Sequence, residues 1–97
     1  MNFNWTKEDG KHDGGVSYGI GYCISWQRGP VKEGSRNGAF LLEVLESCRS
    51  QLAYYQDSKY KCPENEEALK ALDQSIHNLN LRRLNREARG VLGTHEV

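Results

Sequence analysis

Glycine is confined to the two ends of this chain. Eight of its ten glycines lie in residues 1–38, and residues 39–89 contain none. Glycine supplies turns and close backbone approach, but in a helix interior it costs roughly 0.5–1 kcal/mol relative to alanine. A chain with this distribution is built for strands and turns first and for helix afterwards. The pattern predicts an α+β fold, strand and turn first and then a C-terminal antiparallel helical hairpin. The 97 residues read as one domain, with a strand-and-turn part over 1–38 and the hairpin and tail over 39–97.

The strand signals are local. Asn2-Phe3-Asn4-Trp5-Thr6 alternates polar and aromatic side chains, as a short strand does. Lys7 to Gly15 holds three glycines and two aspartates and reads as a loop. From Val16 to Trp26 the large residues Val16, Tyr18, Ile20, Tyr22, Ile24 and Trp26 alternate with Ser17, Gly19, Gly21, Cys23 and Ser25. That period of two predicts a single strand with one bulky face and one small face. Arg28-Gly29-Pro30 ends it, and Val31 to Gly38 is a second loop.

The helical signals have a different period. Leu41, Val44 or Leu45, Cys48, Leu52 and Tyr55 recur every three or four residues and predict a helix from Gly38 or Ala39 to Gln56, with Asn37 as its N-cap. Asp57 to Cys62 connects it to a second helix opening at Pro63, a position where proline's missing N–H costs nothing. Glu64, Glu66 and Glu67 suit the positive end of that helix dipole. Leu69, Leu72, Ile76 and Leu79 form the second stripe, and Gly90 supplies a left-handed cap after Arg89. A six-residue connection makes the two helices antiparallel. One hairpin and one or two strands leave unburied faces, so the chain is expected to oligomerise.

Composition narrows the chemistry. Thirteen basic and thirteen acidic residues balance, which argues against a nucleic-acid or anionic-membrane partner. The apolar runs are too short for a membrane span, and the polar segment Met1 to Lys11 is not a secretory leader. Cys23, Cys48 and Cys62 are an odd number at wide spacing, which fits reduced thiols rather than a disulfide framework. His12, His77 and His95 have no zinc spacing to them, and Gly19-Ile20-Gly21 is a fragment of a dinucleotide fingerprint without its third glycine. No nucleophile elbow or catalytic carboxylate pair stands out. The chain reads as a binder without a cofactor, not an enzyme.

The sharpest functional signal closes the second helix. Arg82, Arg83, Arg86 and Arg89 fall within eight residues, with Arg82, Arg86 and Arg89 on one face. Arginines at a helix C-terminus suit the dipole. Stacked guanidinium forks also make a phosphate clamp. Tyr54, Tyr55 and Tyr60 around the connection either seal the hairpin tip or offer stacking surfaces, and Asn65 either caps its helix or meets a base edge.

Several runs resemble a known family. Ile24-Ser25-Trp26-Gln27-Arg28-Gly29-Pro30 and Asn37-Gly38-Ala39-Phe40 are similar to phage-encoded Thoeris anti-defence sponge proteins of the first type. So are Tyr54-Tyr55-Gln56, Ser58-Lys59, Cys62, Glu64-Asn65, Arg86-Glu87-Ala88-Arg89-Gly90-Val91 and Gly93-Thr94-His95-Glu96, a resemblance running over residues 16–97. It implies a non-catalytic protein, in the cytoplasm of an infected bacterium, that sequesters cyclic ADP-ribose isomers made by TIR-domain proteins. Some members also bind cyclic di- or trinucleotides at a separate site, and members resemble one another in a small N-terminal antiparallel β-sheet, a C-terminal helical hairpin and homo-oligomers built from dimers, which implies a homodimer or a hexamer here. Matched position by position, the implied ligand-binding residues are Tyr55, Asn65, Arg82, Arg86 and Arg28, with Arg36 as the alternative to Arg28. Along one helix Arg82 and Arg86 lie about 25 Å or more from the tip at 1.5 Å per residue, so the expected pocket lies between antiparallel subunits. The rival readings are a helical-hairpin module docking on a host protein and, less favoured by the charge balance, a nucleic-acid binder.

Overall fold

The computed structural model describes residues 1–97, the side chain of Glu33 excepted. Three strands, β1 (Asn2–Thr6), β2 (His12–Gly19) and β3 (Tyr22–Trp26), precede a single 3-10 turn at Val31–Glu33 and two helices, α1 (Leu41–Gln56) and α2 (Pro63–Ala88). The chain divides into two compact units, Met1–Phe40 with Arg86–Val97, and Leu41–Asn85. The α+β class and the two helices are therefore as the glycine distribution indicates. The tail, however, belongs with the sheet and not with the hairpin.

In the first unit the strands form an antiparallel meander in the order β1-β2-β3. The single strand expected over Val16–Trp26 is two, because Gly19 pairs with Tyr22 across a two-residue turn at Ile20-Gly21. The expected loop Lys7–Gly15 is correspondingly shorter, since β2 already begins at His12. The turn also reverses side-chain parity. Val16 pairs with Ser25 and Tyr18 with Cys23, whereas Ser17 pairs with Ile24 and Gly15 with Trp26. Paired residues share a face, so the bulky series splits between the two faces of the sheet. Phe3 stacks on Tyr18 with ring centroids 6.3 Å apart on one face. On the other, Trp26 Nε1 donates to Ser17 Oγ at 2.7 Å.

Residues 37–39 lie beside β3, with Ala39 forming a parallel bridge to Trp26. Ala39 N donates to Ser25 O at 2.8 Å and Gln27 N donates to Ala39 O at 3.0 Å. A Cβ on Gly38 would stand 2.7 Å from Gln27 N, Ser25 O and the Trp26 carbonyl carbon, all of them backbone, so only glycine fits this approach. Asn37 consequently is not the helix cap that its position suggests. Its side chain is held by the backbone of Arg28, and α1 starts at Leu41.

In the second unit α1 and α2 run antiparallel. The half-buried positions of α1 are Leu42, Glu43, Val44, Leu45, Arg49, Leu52, Ala53 and Gln56; Val44, Leu45 and Leu52 lie on the expected stripe, whereas Leu41, Cys48 and Tyr55 are exposed. Polar residues stand in that seam because each has a partner. Arg49 Nε donates to Asp73 Oδ1 at 2.9 Å across the hairpin. The Gln56 amide exchanges two hydrogen bonds with the Cys62 backbone, both 3.1 Å. In α2 the stripe Leu69, Leu72, Ile76 and Leu79 is half-buried as its spacing indicates, and Pro63 opens the helix. Gly90, at φ 74°, ends the chain's helical run. Gly90 N donates to Glu87 O and Val91 N to Arg86 O, both at 3.0 Å, which is the Schellman pattern. No described helix is long and apolar enough to cross a membrane.

Candidate ligand-binding site

Three local structures carry the candidate residues. The first is a loop closed at its neck. Gln27 Oε1 accepts from the backbone N–H groups of Asn37 and Gly38 at 2.9 and 3.1 Å. Asn37 in turn accepts from Arg28 N at 2.8 Å and donates to Arg28 O at 3.1 Å. Two side-chain amides thus do the work of a strand pair and fix where Arg28 leaves the sheet. The Arg28 guanidinium pairs with Asp13 at 3.2 Å and lies 5.9 Å from the Trp5 ring, yet its side chain stays 60% exposed. Arg36, the alternative, lies 4.4 Å over the Phe40 ring and donates to Gly38 O.

The second is the hairpin tip. Tyr54 and Tyr55 meet edge to face with centroids 6.1 Å apart. None of the tip tyrosines is core: Tyr54, Tyr55 and Tyr60 are 70%, 46% and 68% exposed. The Ser58 hydroxyl donates to Tyr55 O and accepts from Tyr60 N, and Asn65 Nδ2 reaches Tyr60 O at 3.4 Å. Tyr55 and Asn65, 10 residues apart in sequence, are thereby brought onto one pinned turn.

The third is the end of α2. Arg82 is exposed and has no hydrogen-bond or ion-pair partner among the described residues. Arg86, one turn on, is 8% exposed and is the one buried charged side chain among the described residues. Its Nη1 donates to Glu96 O at 2.6 Å and Val97 O at 3.3 Å, and its Nη2 to Val91 O at 3.0 Å and Thr94 O at 3.1 Å. All four Nη hydrogens are engaged, leaving Nε–H alone for anything else. The clamp of two equivalent arginines thus resolves into two different groups. Arg82 is open to an anion, while Arg86 ties down the tail. Along α2, Arg82 stands about 25 Å from Asn65 at 1.5 Å per residue.

Outside these structures the Asp73 carboxyl is held below its ordinary value by its hydrogen bond to Arg49. No group of three or more metal-ligating side chains occurs among the described residues. Gln27 is the residue that sequence reading missed. Its role in closing the loop depends on Asn37 and Gly38 lying beside it, which spacing does not reveal.

No family model matches the chain. A protein of Bacillus phage SBSphiJ7 named "Thoeris anti-defense 1" is 38% identical over 73 residues, which is 75% of this chain and 51% of that protein. The chain belongs to the Thoeris anti-defence family. It spans about half the length of the curated relative that it matches. The runs that carry the family resemblance have a physical reason in this fold. Gln27-Arg28 and Asn37-Gly38-Ala39 are the two sides of the loop neck, and Arg86 through Glu96 is the arginine together with the tail that it holds.

Proposed function

We propose that this Thoeris anti-defence chain counters bacterial anti-phage defence by holding a cyclic ADP-ribose isomer without chemical change, in the cytoplasm of the infected cell. The anti-defence role rests on the relative's name. The observation that carries ligand binding is the hairpin tip, where Tyr55 and Asn65 sit exposed or half-exposed on a pinned turn. A purine takes a stacking face from Tyr55 and an edge contact from Asn65, and an arginine fork takes the diphosphate. Arg82 is the arginine free to do so. Arg28 enters the proposal through the resemblance alone.

The same reading calls for a second copy of the chain. Among the described residues no hydrophobic side chain is buried. Its second helix opens with Glu64, Glu66 and Glu67 and carries Arg82 and Arg83 near its other end. An antiparallel copy matches acid to base and brings its own Arg82 toward the tip. Homodimers, and hexamers built from them, are the proposed assemblies, and cyclic di- or trinucleotides are the proposed second ligand class.

A thermal-shift titration with cyclic ADP-ribose isomers and cyclic di- and trinucleotides tests this reading. A shift of the unfolding midpoint with a cyclic ADP-ribose isomer supports it. A protein that responds to none of these compounds but captures a host protein fits the docking-module reading instead.

A further inference from the structure

We propose that Tyr60 and Lys59 are further ligand contacts at the hairpin tip, Tyr60 offering a second stacking face to the purine and Lys59 a cation to the adjoining phosphate. The inference rests on the reading that this tip binds a cyclic ADP-ribose isomer. It adds residues that are not among the ligand-binding positions implied by the family resemblance.

The connection between the helices is more firmly fixed than a surface turn needs to be. Gln56 closes its base through two hydrogen bonds with Cys62, Asp57 N donates to Ala53 O at 3.0 Å, and Lys61 N to Ser58 O at 3.2 Å. Ser58 adds two more, to Tyr55 and from Tyr60. A turn fixed in advance loses little further freedom when a ligand lands on it. Yet what this turn presents outward is aromatic: Tyr60 is 68% exposed. A tyrosine on a rigid backbone offers a large contact area while only two torsions remain to be ordered, the economy that antibody paratopes use.

Tyr60 is also joined to both tip residues of the proposed site. Ser58 bridges its amide to the Tyr55 carbonyl, and Asn65 Nδ2 donates to its carbonyl. That donation leaves Asn65 Oδ1 to accept from an exocyclic amine, so a base read by Asn65 lies over the turn that carries Tyr60.

Lys59 answers the charge requirement. Arg82 of the same chain stands about 25 Å along α2, too far for one mononucleotide-sized group. The Lys59 ammonium lies over one face of the Tyr60 ring, 5.2 Å from its centroid, which leaves the opposite face for the base and puts the cation near the ring edge for its phosphate. Lys61 is exposed on the same turn, and Asp57 and Glu64 are the exposed acids beside it. The tip therefore has no general positive field, and attraction of an anion depends on the placement of Lys59 itself.

The test titrates the full chain, Tyr60→Ala, Tyr60→Phe and Lys59→Gln with a purified cyclic ADP-ribose isomer at low and high salt, with the unfolding midpoint as a check on folding. Tyr60→Ala is expected to weaken binding about tenfold or more, the scale of losing one base–aromatic stack, and Tyr60→Phe to keep it. Lys59→Gln is expected to weaken binding about fivefold and to flatten its salt dependence. If the unaltered chain binds and Tyr60→Ala and Lys59→Gln bind equally well, this inference is overturned and the Tyr55–Asn65 reading stands. If the unaltered chain binds no isomer, both fall together.

Discussion

Arg86 offers the sharpest separation between a ligand clamp and a structural anchor. Four carbonyl oxygens, from Val91, Thr94, Glu96 and Val97, lie 2.6–3.3 Å from its Nη atoms. A hydrogen bond to a charged group contributes about 1.5–3 kcal/mol net, though four on one guanidinium do not add. Arg86→Lys keeps the charge but has three donors on a single nitrogen and no planar fork. At least one carbonyl is left without its donor, and the geometry of the others degrades. The expected loss is about 2–3 kcal/mol of tail docking, a fall of roughly 30- to 150-fold in the equilibrium that holds the tail down. Amide hydrogen exchange reads this directly at Thr94, whose N–H donates to Val91 O, and at Glu96, whose N–H donates to Thr94 Oγ1. Both amides are expected to exchange faster in Arg86→Lys, and faster still in Arg86→Ala, while amides of the α1–α2 hairpin stay as slow as before. Unchanged protection at Thr94 and Glu96 in both variants refutes the anchoring role and returns Arg86 to the clamp.

Three other perturbations follow from the geometry. Arg82→Ala removes an exposed, unpartnered group, so it is expected to leave the unfolding midpoint in place while weakening the cyclic ADP-ribose isomer by about 1.5 kcal/mol or more, read by calorimetric titration. Gly38→Ala drives a Cβ to within 2.7 Å of three backbone atoms; chemical denaturation should show a loss of at least about 2 kcal/mol, and a stability equal to the parent's contradicts the close approach. The Asp73 carboxyl is depressed by Arg49, so the stability from this pair is complete above the ordinary carboxylate value of about 3.9 and disappears as pH falls through the lower native value. Asp73→Asn is expected to remove that portion of the acid dependence of denaturation.

How much of this was legible in the sequence depends on the period of each signal. The absence of glycine from 39–89 gave the helices, and Pro63 and Gly90 marked the start and the cap of the second through backbone rules that act within a few residues. The turn at Ile20-Gly21 was hidden because alternation of large and small residues runs unbroken across a two-residue turn, while the pairing beyond it exchanges the faces. The seam of α1 was legible in part: Val44, Leu45 and Leu52 are half-buried as their spacing indicates, but Cys48 and Tyr55 give way to Arg49 and Gln56, which are polar. Their partners, Asp73 and the Cys62 backbone, are tertiary facts. At the site, Tyr55, Asn65 and Arg82 emerge exposed or half-exposed. The burial of Arg86 could not be read from helical spacing, since it is created by a tail that folds back after two positive-φ glycines, Gly90 and Gly93. Those two glycines, one and four residues beyond the arginine run, were the available signal.

The central claim is sequestration: tight binding of a cyclic ADP-ribose isomer that leaves it chemically unaltered. Its most direct test is to incubate the purified chain with a limiting amount of one isomer, remove the free fraction by filtration, heat-denature the retained protein and weigh what is released by mass spectrometry. The proposal predicts that the isomer disappears from the filtrate in proportion to the protein added and returns intact on heating. Isomer left in the filtrate at protein excess, or a released product of altered mass, contradicts it.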